Sequence, residues 1–415
     1  MDFYQVDGGK KSHDYFLQAQ SRFKEPLEKL EVLSPKLTAT GKGDLSKVFS
    51  NAEKKEVYPF IKNPDAGKFS GNAELLWTLP FKGAQRYLRG ILVPEGKGEN
   101  TLYTGDAPGI RYTGRTKDPL DRTVRKVVWR REKGPSEKTM QSCFMAAFEY
   151  ADEKDKLDLK EMKRLNVSGS PASGAAEVTH GSGKDILLLS DATGKMSVNT
   201  SAGRIAFDGI AALLSLDRNG KLLKVTTTGL RSLSVNGKRI AGGCIIRGKL
   251  SGMPTGLSEW LQYEKPATVT VAGRIPQEAV GNMLLVQHKN CTTSYKITGV
   301  RPLADNRTEL QLDRSARKLI AVVDAAPNRR DLTILSGGGD AAIPNDNFVV
   351  DGKAYGVLSV DRSKVRRGAA RTLGYATLKL VRPLPRSGIQ RLALTEFGAD
   401  DPYTVMTSKT IDISE

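Results

Sequence analysis

Three histidines, His13, His180 and His288, supply the side chains best suited to acid–base chemistry near neutral pH. None has a second His, a Cys or a carboxylate at the spacing of a metal site, so we expect neither a metal ion nor a cofactor. A serine-hydrolase site is not indicated either, because the motif Gly-x-Ser-x-Gly does not occur. His180 lies in a Gly/Ser-rich stretch and His288 at the end of a strand pattern, so we expect both at the surface.

His13 differs from the other two histidines through its neighbours. The segment GGKKSHDY places its imidazole beside the carboxylate of Asp14 and the ring of Tyr15, at the start of a strand that follows a tight turn. A hydrogen bond from His13 that pins this turn is the role we favour, and catalysis is the alternative.

The stretch richest in binding groups runs from Gly109 to Lys138 and holds ten Lys or Arg against four Asp or Glu. Arginine forks bind carboxylates and sulfates through paired hydrogen bonds, and aromatic faces suit sugar rings. We therefore predict an acidic-glycan site here. A solvated charged edge that deters strand pairing is the alternative. The predicted contacts are Arg111, Tyr112, Arg115, Arg122 and Arg125, and a second choice for the same surface comprises His13, Asp14 and Tyr15.

The net charge of +18 favours a polyanionic partner, because it steers and concentrates such ligands. Nucleic acid, anionic lipid and acidic polysaccharide all qualify, and a basic surface without function is the alternative. Nucleic acid is not favoured, since no helix-turn-helix, RNP or zinc-finger pattern occurs. No membrane partner is expected, because no apolar run approaches the length of a membrane span. Nothing near Met1 resembles a signal peptide.

The three cysteines, Cys143, Cys244 and Cys291, have no close pair and no CxxC spacing. Neither a disulfide framework nor a zinc knuckle is therefore indicated. We expect each cysteine to be a small buried apolar residue.

Short strand patterns dominate the chain and alternate with hairpin-turn sequences. In TMQSCFMAAFEY both faces are apolar, which predicts a strand between two layers. We predict an all-β protein, with a large, supersandwich-like antiparallel β-sandwich over residues 1–240 and a smaller β-domain over residues 241–415. The Gly/Ser/Ala-rich stretch from Asn166 to Lys184 is predicted to be a mobile connection or a long loop. The turn sequences are DATGK at 191–195, DRNGK at 217–221, VNGKR at 235–239, ADNRT at 304–308 and VDGKA at 350–354.

The order of these motifs resembles the C-terminal β-sandwich region of heparinase II/III-family polysaccharide lyases. The first strand of that region is matched by DFYQVDGG, which leads into HDY. The turn GDAPG follows, and then the strand FMAAFEY and the basic pair Lys163 and Arg164. The resemblance covers residues 1–240, and the rest of the chain is similar only in its β character.

The resemblance implies a periplasmic or secreted lyase that cleaves uronate-containing polysaccharides, such as glycosaminoglycans or alginate, by β-elimination. In this reaction a substrate carboxylate is neutralised, a base removes the C5 proton, and an acid assists departure of the 4-linked sugar. The family's catalytic Tyr and His belong to an upstream α/α toroid and to early sandwich strands. We therefore expect this chain to be the downstream part of a larger lyase, with a toroid domain or chain as partner and no catalytic residue of its own assigned. A non-catalytic module that binds acidic glycans is the alternative.

Overall fold

The computed structural model confirms that the protein is all-β: its described residues form 33 strands and two short 3-10 turns, Lys154–Lys156 and Gln277–Ala279. No helix in this part of the chain is long and apolar enough to cross a membrane. The described residues are 2–8, 11–19, 28–39, 62–96, 98–108, 123–169, 173–190, 195–252, 267–289, 291–315, 317–336, 344–350, 353–361, 363, 366–367, 372–373, 376–395 and 398–413.

Ten strands before residue 152 form two antiparallel sheets of five strands each. They are β1 (Asp2–Asp7), β2 (Ser12–Leu17), β3 (Lys29–Ser34), β4 (Thr38–Ala39), β5 (Lys62–Phe69), β6 (Ala73–Phe81), β7 (Ala84–Val93), β8 (Asn100–Pro108), β9 (Thr123–Glu132) and β10 (Gln141–Ala151). The first sheet has the order β1-β10-β7-β6-β3, and the second sheet has the order β2-β9-β8-β5-β4.

Aromatic side chains fill the core between these two sheets. Trp77 and Phe144 come from the first sheet, and Tyr15 and Trp129 come from the second. The rings of Trp129 and Phe144 meet edge to face, with centroids 4.8 Å apart. Burial of such large rings is a dominant favourable contribution to folding. The two sheets are therefore the layers of a β-sandwich.

A third sheet contains nine strands. They are β11 (Glu161–Leu165), β12 (Val167–Gly169), β13 (Ser173–His180), β14 (Gly183–Ser190), β15 (Met196–Thr200), β16 (Gly203–Asp217), β17 (Leu222–Val235) and β18 (Lys238–Ile240), with the last strand of the protein, β33 (Ser408–Asp412). The order is β11-β13-β14-β16-β15-β12, and β17 pairs with β16, β18 and β33. The prediction of a mobile connection over residues 166–184 is wrong for the described part of this stretch, because β12 pairs with β15 and β13 pairs with β14.

The first sheet is buried on both faces. Phe144 and Ala146 of β10 face the sandwich core, whereas Met145 and Ala147 face a second core shared with Met162 of β11. Apolar residues on both faces of a strand require a layer on each side. The prediction that this strand lies between two layers is confirmed.

The chain divides into two compact units. One consists of Met1–Thr226, Ser232–Ala241 and Thr410–Glu415, and the other of Thr227–Arg231 and Gly242–Lys409. The change of unit at residues 241–242 is adjacent to the boundary predicted from the sequence. The assignment of residues 1–240 to a heparinase-like sandwich stays a prediction.

The second unit contains a six-stranded sheet and a closed barrel. The strands are β19 (Ile245–Lys249), β20 (Thr268–Ala272), β21 (Met283–Gln287), β22 (Thr292–Pro302), β23 (Arg307–Leu312), β24 (Arg317–Ala325), β25 (Asp331–Ser336), β26 (Asn347–Val350), β27 (Lys353–Asp361), β28 (Arg366–Arg367), β29 (Thr372–Leu373), β30 (Ala376–Leu380), β31 (Gly388–Thr395) and β32 (Pro402–Met406). The sheet has the order β19-β32-β21-β22-β23-β20, and the barrel closes as β24-β25-β30-β27-β26-β31. Strands β28 and β29 form a two-stranded sheet and, among the described strands, pair with each other alone.

Candidate functional site

His13 belongs to a buried chain of hydrogen bonds that joins the two sheets of the sandwich. Its Nε2 bonds the carbonyl oxygen of Gly8, and its Nδ1 lies 2.8 Å from Oγ of Ser142. Because a carbonyl oxygen can only accept, Nε2 donates to Gly8, and Nδ1 shares a hydrogen bond with the Ser142 hydroxyl. Ser142 in turn accepts from Nη1 of Arg131 at 3.0 Å. His13 thus fastens the turn that precedes β2, as the structural interpretation of the sequence proposed.

Arg131 is the charged centre of this cluster and is only 2% exposed. Its Nη2 donates to Oε1 of Glu137 at 2.5 Å, and its Nε lies 3.5 Å from Oε2 of Glu95. Glu137 also accepts from the backbone N–H of Gly134 at 2.7 Å. A buried guanidinium is tolerated only when its charge and donors are matched in this way. We call His13, Arg131, Ser142, Glu137 and Glu95 the inter-sheet cluster.

Asp14 and Tyr15 are also engaged inside the protein. Asp14 accepts two hydrogen bonds from Arg130, from Nε and Nη2, each 2.8 Å long. Burial acts to lower the pKa of Arg130, but the hydrogen bonds and the charge of the Asp14 carboxylate outweigh burial. The net pKa of Arg130 is therefore raised. The Tyr15 hydroxyl donates to Asp2, and its ring stacks on Phe144 at 5.5 Å. His13 and Tyr15 are each 8% exposed, so their role as glycan contacts remains a prediction with little accessible surface to support it.

Arg125 is the one predicted basic contact in the described part of the chain. Its Nη1 donates to Oδ1 of Asp106 at 3.0 Å, and its Nη2 bonds Asp65 and, at 3.2 Å, Oγ1 of Thr104. Two carboxylates therefore neutralise the guanidinium of Arg125, which the sequence analysis predicts to bind substrate. The other predicted contacts, Arg111, Tyr112, Arg115 and Arg122, lie outside the described residues.

Strand β9 carries three paired arginines in the interior of a sheet. Arg125, Arg130 and Arg131 each contact at least one carboxylate, and β9 has β2 on one side and β8 on the other. The alternative of a charged edge strand is therefore wrong for β9, because both of its backbone edges are paired. Its arginines are held by acidic side chains of the protein itself.

An open groove of about 460 Å³ lies beside the ends of β5 and β8. Phe69 forms part of its wall, and Lys68 and Glu99 pair across 2.6 Å. Asn100 lines the groove while its Oδ1 accepts from Nε1 of Trp129 at 2.9 Å. An aromatic ring beside amide and charged groups is suited to binding a sugar residue. Because Lys68 and Glu99 neutralise each other, this pair gives the groove no preference for an anionic ligand.

Of the two other histidines, His288 departs from its expected surface position and His180 is partly exposed. His288 is a correction: its side chain is 5% exposed, and its Nδ1 lies 3.2 Å from Oδ2 of Asp401. His180 ends a strand, with a side chain 25% exposed and Nε2 3.5 Å from Oδ2 of Asp185. Each histidine has a carboxylate partner, which lies five residues away in sequence for His180 and 113 residues away for His288.

The expected burial of all three cysteines is also wrong, because Cys291 is exposed in the turn between β21 and β22. Cys143 and Cys244 are half-buried. Burial raises the pKa of the Cys143 thiol to about 11, and the nearby Arg164 acts in the opposite direction. Across the described ranges, no three His, Cys, Asp or Glu side chains are grouped so that they could hold a metal ion.

Sequence reasoning missed Ser142, Glu137 and Glu95 as partners of the inter-sheet cluster. Ser142 is 129 residues from His13, and only the facing of the two sheets brings their side chains together. The adjacent Arg130 and Arg131 were one available signal, since two arginines in an otherwise apolar strand pattern each need a buried partner.

A scan of the sequence against protein-family models finds no match, and a search of the curated proteins finds none either.

Proposed function

We propose that this chain is the β-sandwich part of a polysaccharide lyase that acts by β-elimination on uronate-containing acidic polysaccharides. The observation that carries the proposal is the position of the motif residues in the antiparallel sandwich of β1–β10. Asp2, His13, Asp14 and Tyr15, which belong to the resemblance with heparinase II/III-family lyases, form internal bonds between its strands. Residues that hold a fold together are those that a shared architecture requires.

In this proposal the chain contributes binding and support, and an α/α toroid domain or chain contributes the proton-transfer groups. His13 and Tyr15 favour this division, because both are largely buried and both use their polar atoms inside the protein. A general base must come within hydrogen-bond reach of the proton that it removes. The positive charge of the chain suits the neutralisation of substrate carboxylates.

The same burial favours a second candidate function, a non-catalytic module that binds acidic glycans. In that case the chain uses its basic surface to hold a polysaccharide, and no bond is cleaved. The two candidates share a ligand class but differ in whether a product forms.

An absorbance assay separates them. The chain alone, and the chain with a toroid-containing partner, are incubated with heparin-like, chondroitin-like and alginate polysaccharides, and the unsaturated uronate product is followed at about 232 nm. Product in either sample supports the lyase. Glycan binding without product in both samples supports the binding module. Neither product nor binding overturns both proposals.

A further inference from the structure

One end of the closed barrel in the second unit carries a group of arginines. The segment of residues 380–385, from the last residue of β30 into its connection to β31, lies at this end and accepts hydrogen bonds from two of them. Arg329 donates from Nη1 to the carbonyl oxygen of Pro385 at 3.1 Å. Arg330 donates from Nε to the carbonyl oxygen of Leu380 at 3.3 Å and from Nη2 to that of Val381 at 3.0 Å.

Arg382 belongs to the same segment and reaches the neighbouring hairpin. Its Nη2 donates to the carbonyl oxygen of Ala354, and its Cζ lies 4.5 Å from the ring centre of Tyr355. Tyr355 and Leu384 are buried in the barrel core and close this end from inside. The arginines therefore surround a closed barrel end.

These guanidinium groups are held in place by backbone carbonyl oxygens, and no carboxylate of the described residues neutralises them. Arg329, Arg330 and Arg382 are all exposed, and their hydrogen bonds go to carbonyl oxygens. Within the described ranges none of the three has a carboxylate at ion-pair distance, in contrast to Arg125, Arg130 and Arg131 in the sandwich. Arg386, at the same end, has a side chain that forms no hydrogen bond or ion pair to any described residue.

The sequence of the barrel segment is also strongly basic. Residues 317–395 contain 14 Lys or Arg against 6 Asp or Glu. An excess of positive charge of this size favours the attraction of polyanions. Each fixed guanidinium still has N–H groups that face solvent and can donate to oxyanions.

We propose that this end of the barrel is a binding surface for the carboxylate or sulfate groups of an acidic polysaccharide. Fixed guanidinium groups with no carboxylate partner among the described residues suit such oxyanions, because the side chains are ordered before the ligand arrives. This surface is less suited to single-stranded nucleic acid, because base stacking requires an open aromatic face and Arg382 covers the ring of Tyr355. The choice of polysaccharide over other polyanions rests on the proposed function.

The test compares two double variants of the full chain that remove the same charge. Arg329→Gln with Arg382→Gln removes two fixed guanidinium groups from the barrel end. The control, Arg301→Gln with Arg307→Gln, removes two exposed arginines that have acidic neighbours, Glu309 at 2.8 Å and Asp305 at 3.5 Å. Affinity for heparin and for alginate is measured at two salt concentrations, with thermal unfolding to check the fold.

We expect the barrel-end variant to lose roughly tenfold in affinity and to show a shallower salt dependence, and the control to lose much less. Arg386→Gln, a change that breaks no side-chain hydrogen bond to a described residue, is expected to weaken binding in the same direction if the double variant is unstable. Equal losses in both double variants overturn the surface and leave the proposed function intact. Absence of polysaccharide binding by the wild type overturns both, and tighter binding of single-stranded DNA than of either polysaccharide overturns the assigned ligand class.

Discussion

Arg131 donates from Nη1 to the hydroxyl oxygen of Ser142 across 3.0 Å, and so joins β9 of one sheet to β10 of the facing sheet. The same hydroxyl lies 2.8 Å from Nδ1 of His13, on β2. One small polar side chain, 1% exposed, therefore satisfies a charged group and an imidazole at once. Loss of this shared partner would lower the stability of the fold, because two buried polar groups would lose a hydrogen bond that water cannot replace.

We expect Ser142→Ala to lower the free energy of unfolding by about 1–3 kcal/mol, the cost of leaving buried hydrogen-bonding groups unpaired. Urea unfolding followed by tryptophan fluorescence measures this change. Ser168→Ala is the matched control, since Ser168 is exposed and its hydroxyl bonds the hydroxyl of Ser197 at 2.7 Å. A Ser142→Ala protein as stable as this control would show that the cluster adds nothing to stability.

Part of this architecture follows from the local sequence. Asn236 and Gly237 both have positive φ, +51° and +82°, and join β17 to β18 as the Asn-Gly pair predicts. The apolar residues on both faces of Phe144–Tyr150 correctly predict a strand between two layers. In each case the signal is contained in a few consecutive residues.

The rest depends on contacts between distant segments. His288 is buried beside Asp401, which is 113 residues away in sequence. No residue near His288 in the sequence predicts this carboxylate partner. Likewise the pairing of Arg125 with Asp65 requires that β5 and β9 lie on either side of β8. Local periodicity predicts strands and turns, but the order of strands in a sheet determines which charged side chains form ion pairs.

Glu177 gives a pH-dependent contribution to stability. Burial alone would raise its pKa, but hydrogen bonds from Ser201 at 2.6 Å and Lys184 at 2.9 Å outweigh burial, and the net pKa is lowered. A carboxyl with a lowered pKa stabilises the fold fully above its ordinary value of 4.5 and loses this contribution as the pH falls through the folded-state pKa.

We therefore expect the difference in unfolding free energy between wild type and Glu177→Gln to be constant near neutral pH and to shrink at acid pH. Urea unfolding at a series of pH values measures this difference. Glu161→Gln, which changes an exposed partner of Lys163, is the control. A difference that grows as the pH falls would mean that the pKa of Glu177 is raised in the folded protein.

The three thiols should differ in reactivity because their surroundings differ. The pKa of about 11 leaves almost no thiolate on Cys143 at pH 8, whereas Cys291 is exposed. We expect a chromogenic disulfide reagent at pH 8 to label Cys291 rapidly in the native protein and Cys143 only on unfolding. Cys291→Ser should remove the fast phase. A fast phase that survives in Cys291→Ser and disappears in Cys143→Ser would contradict the burial of Cys143.

The final prediction concerns Arg125, which the sequence assigns to substrate and the structure pairs with Asp106 and Asp65. Its side chain is 27% exposed, so a polysaccharide carboxylate would have to displace one of two carboxylates already in place. We expect Arg125→Gln to lower the free energy of unfolding by about 1–2 kcal/mol, since it leaves two acidic side chains close together and partly screened by solvent. Affinity for polyuronate should change little.

Arg111→Ala combined with Arg115→Ala makes the contrasting variant. If these residues hold carboxylate or sulfate groups, affinity should fall by roughly 1–3 kcal/mol per charged hydrogen bond, more steeply at low salt, with little loss of stability. Titration with polyuronate at two salt concentrations, with urea unfolding of each variant, separates the two effects. An affinity loss in Arg125→Gln equal to that of the double variant would return Arg125 to the substrate site. Unchanged binding by the double variant would remove the basic stretch from the site, because a solvated arginine contributes almost nothing when it is replaced.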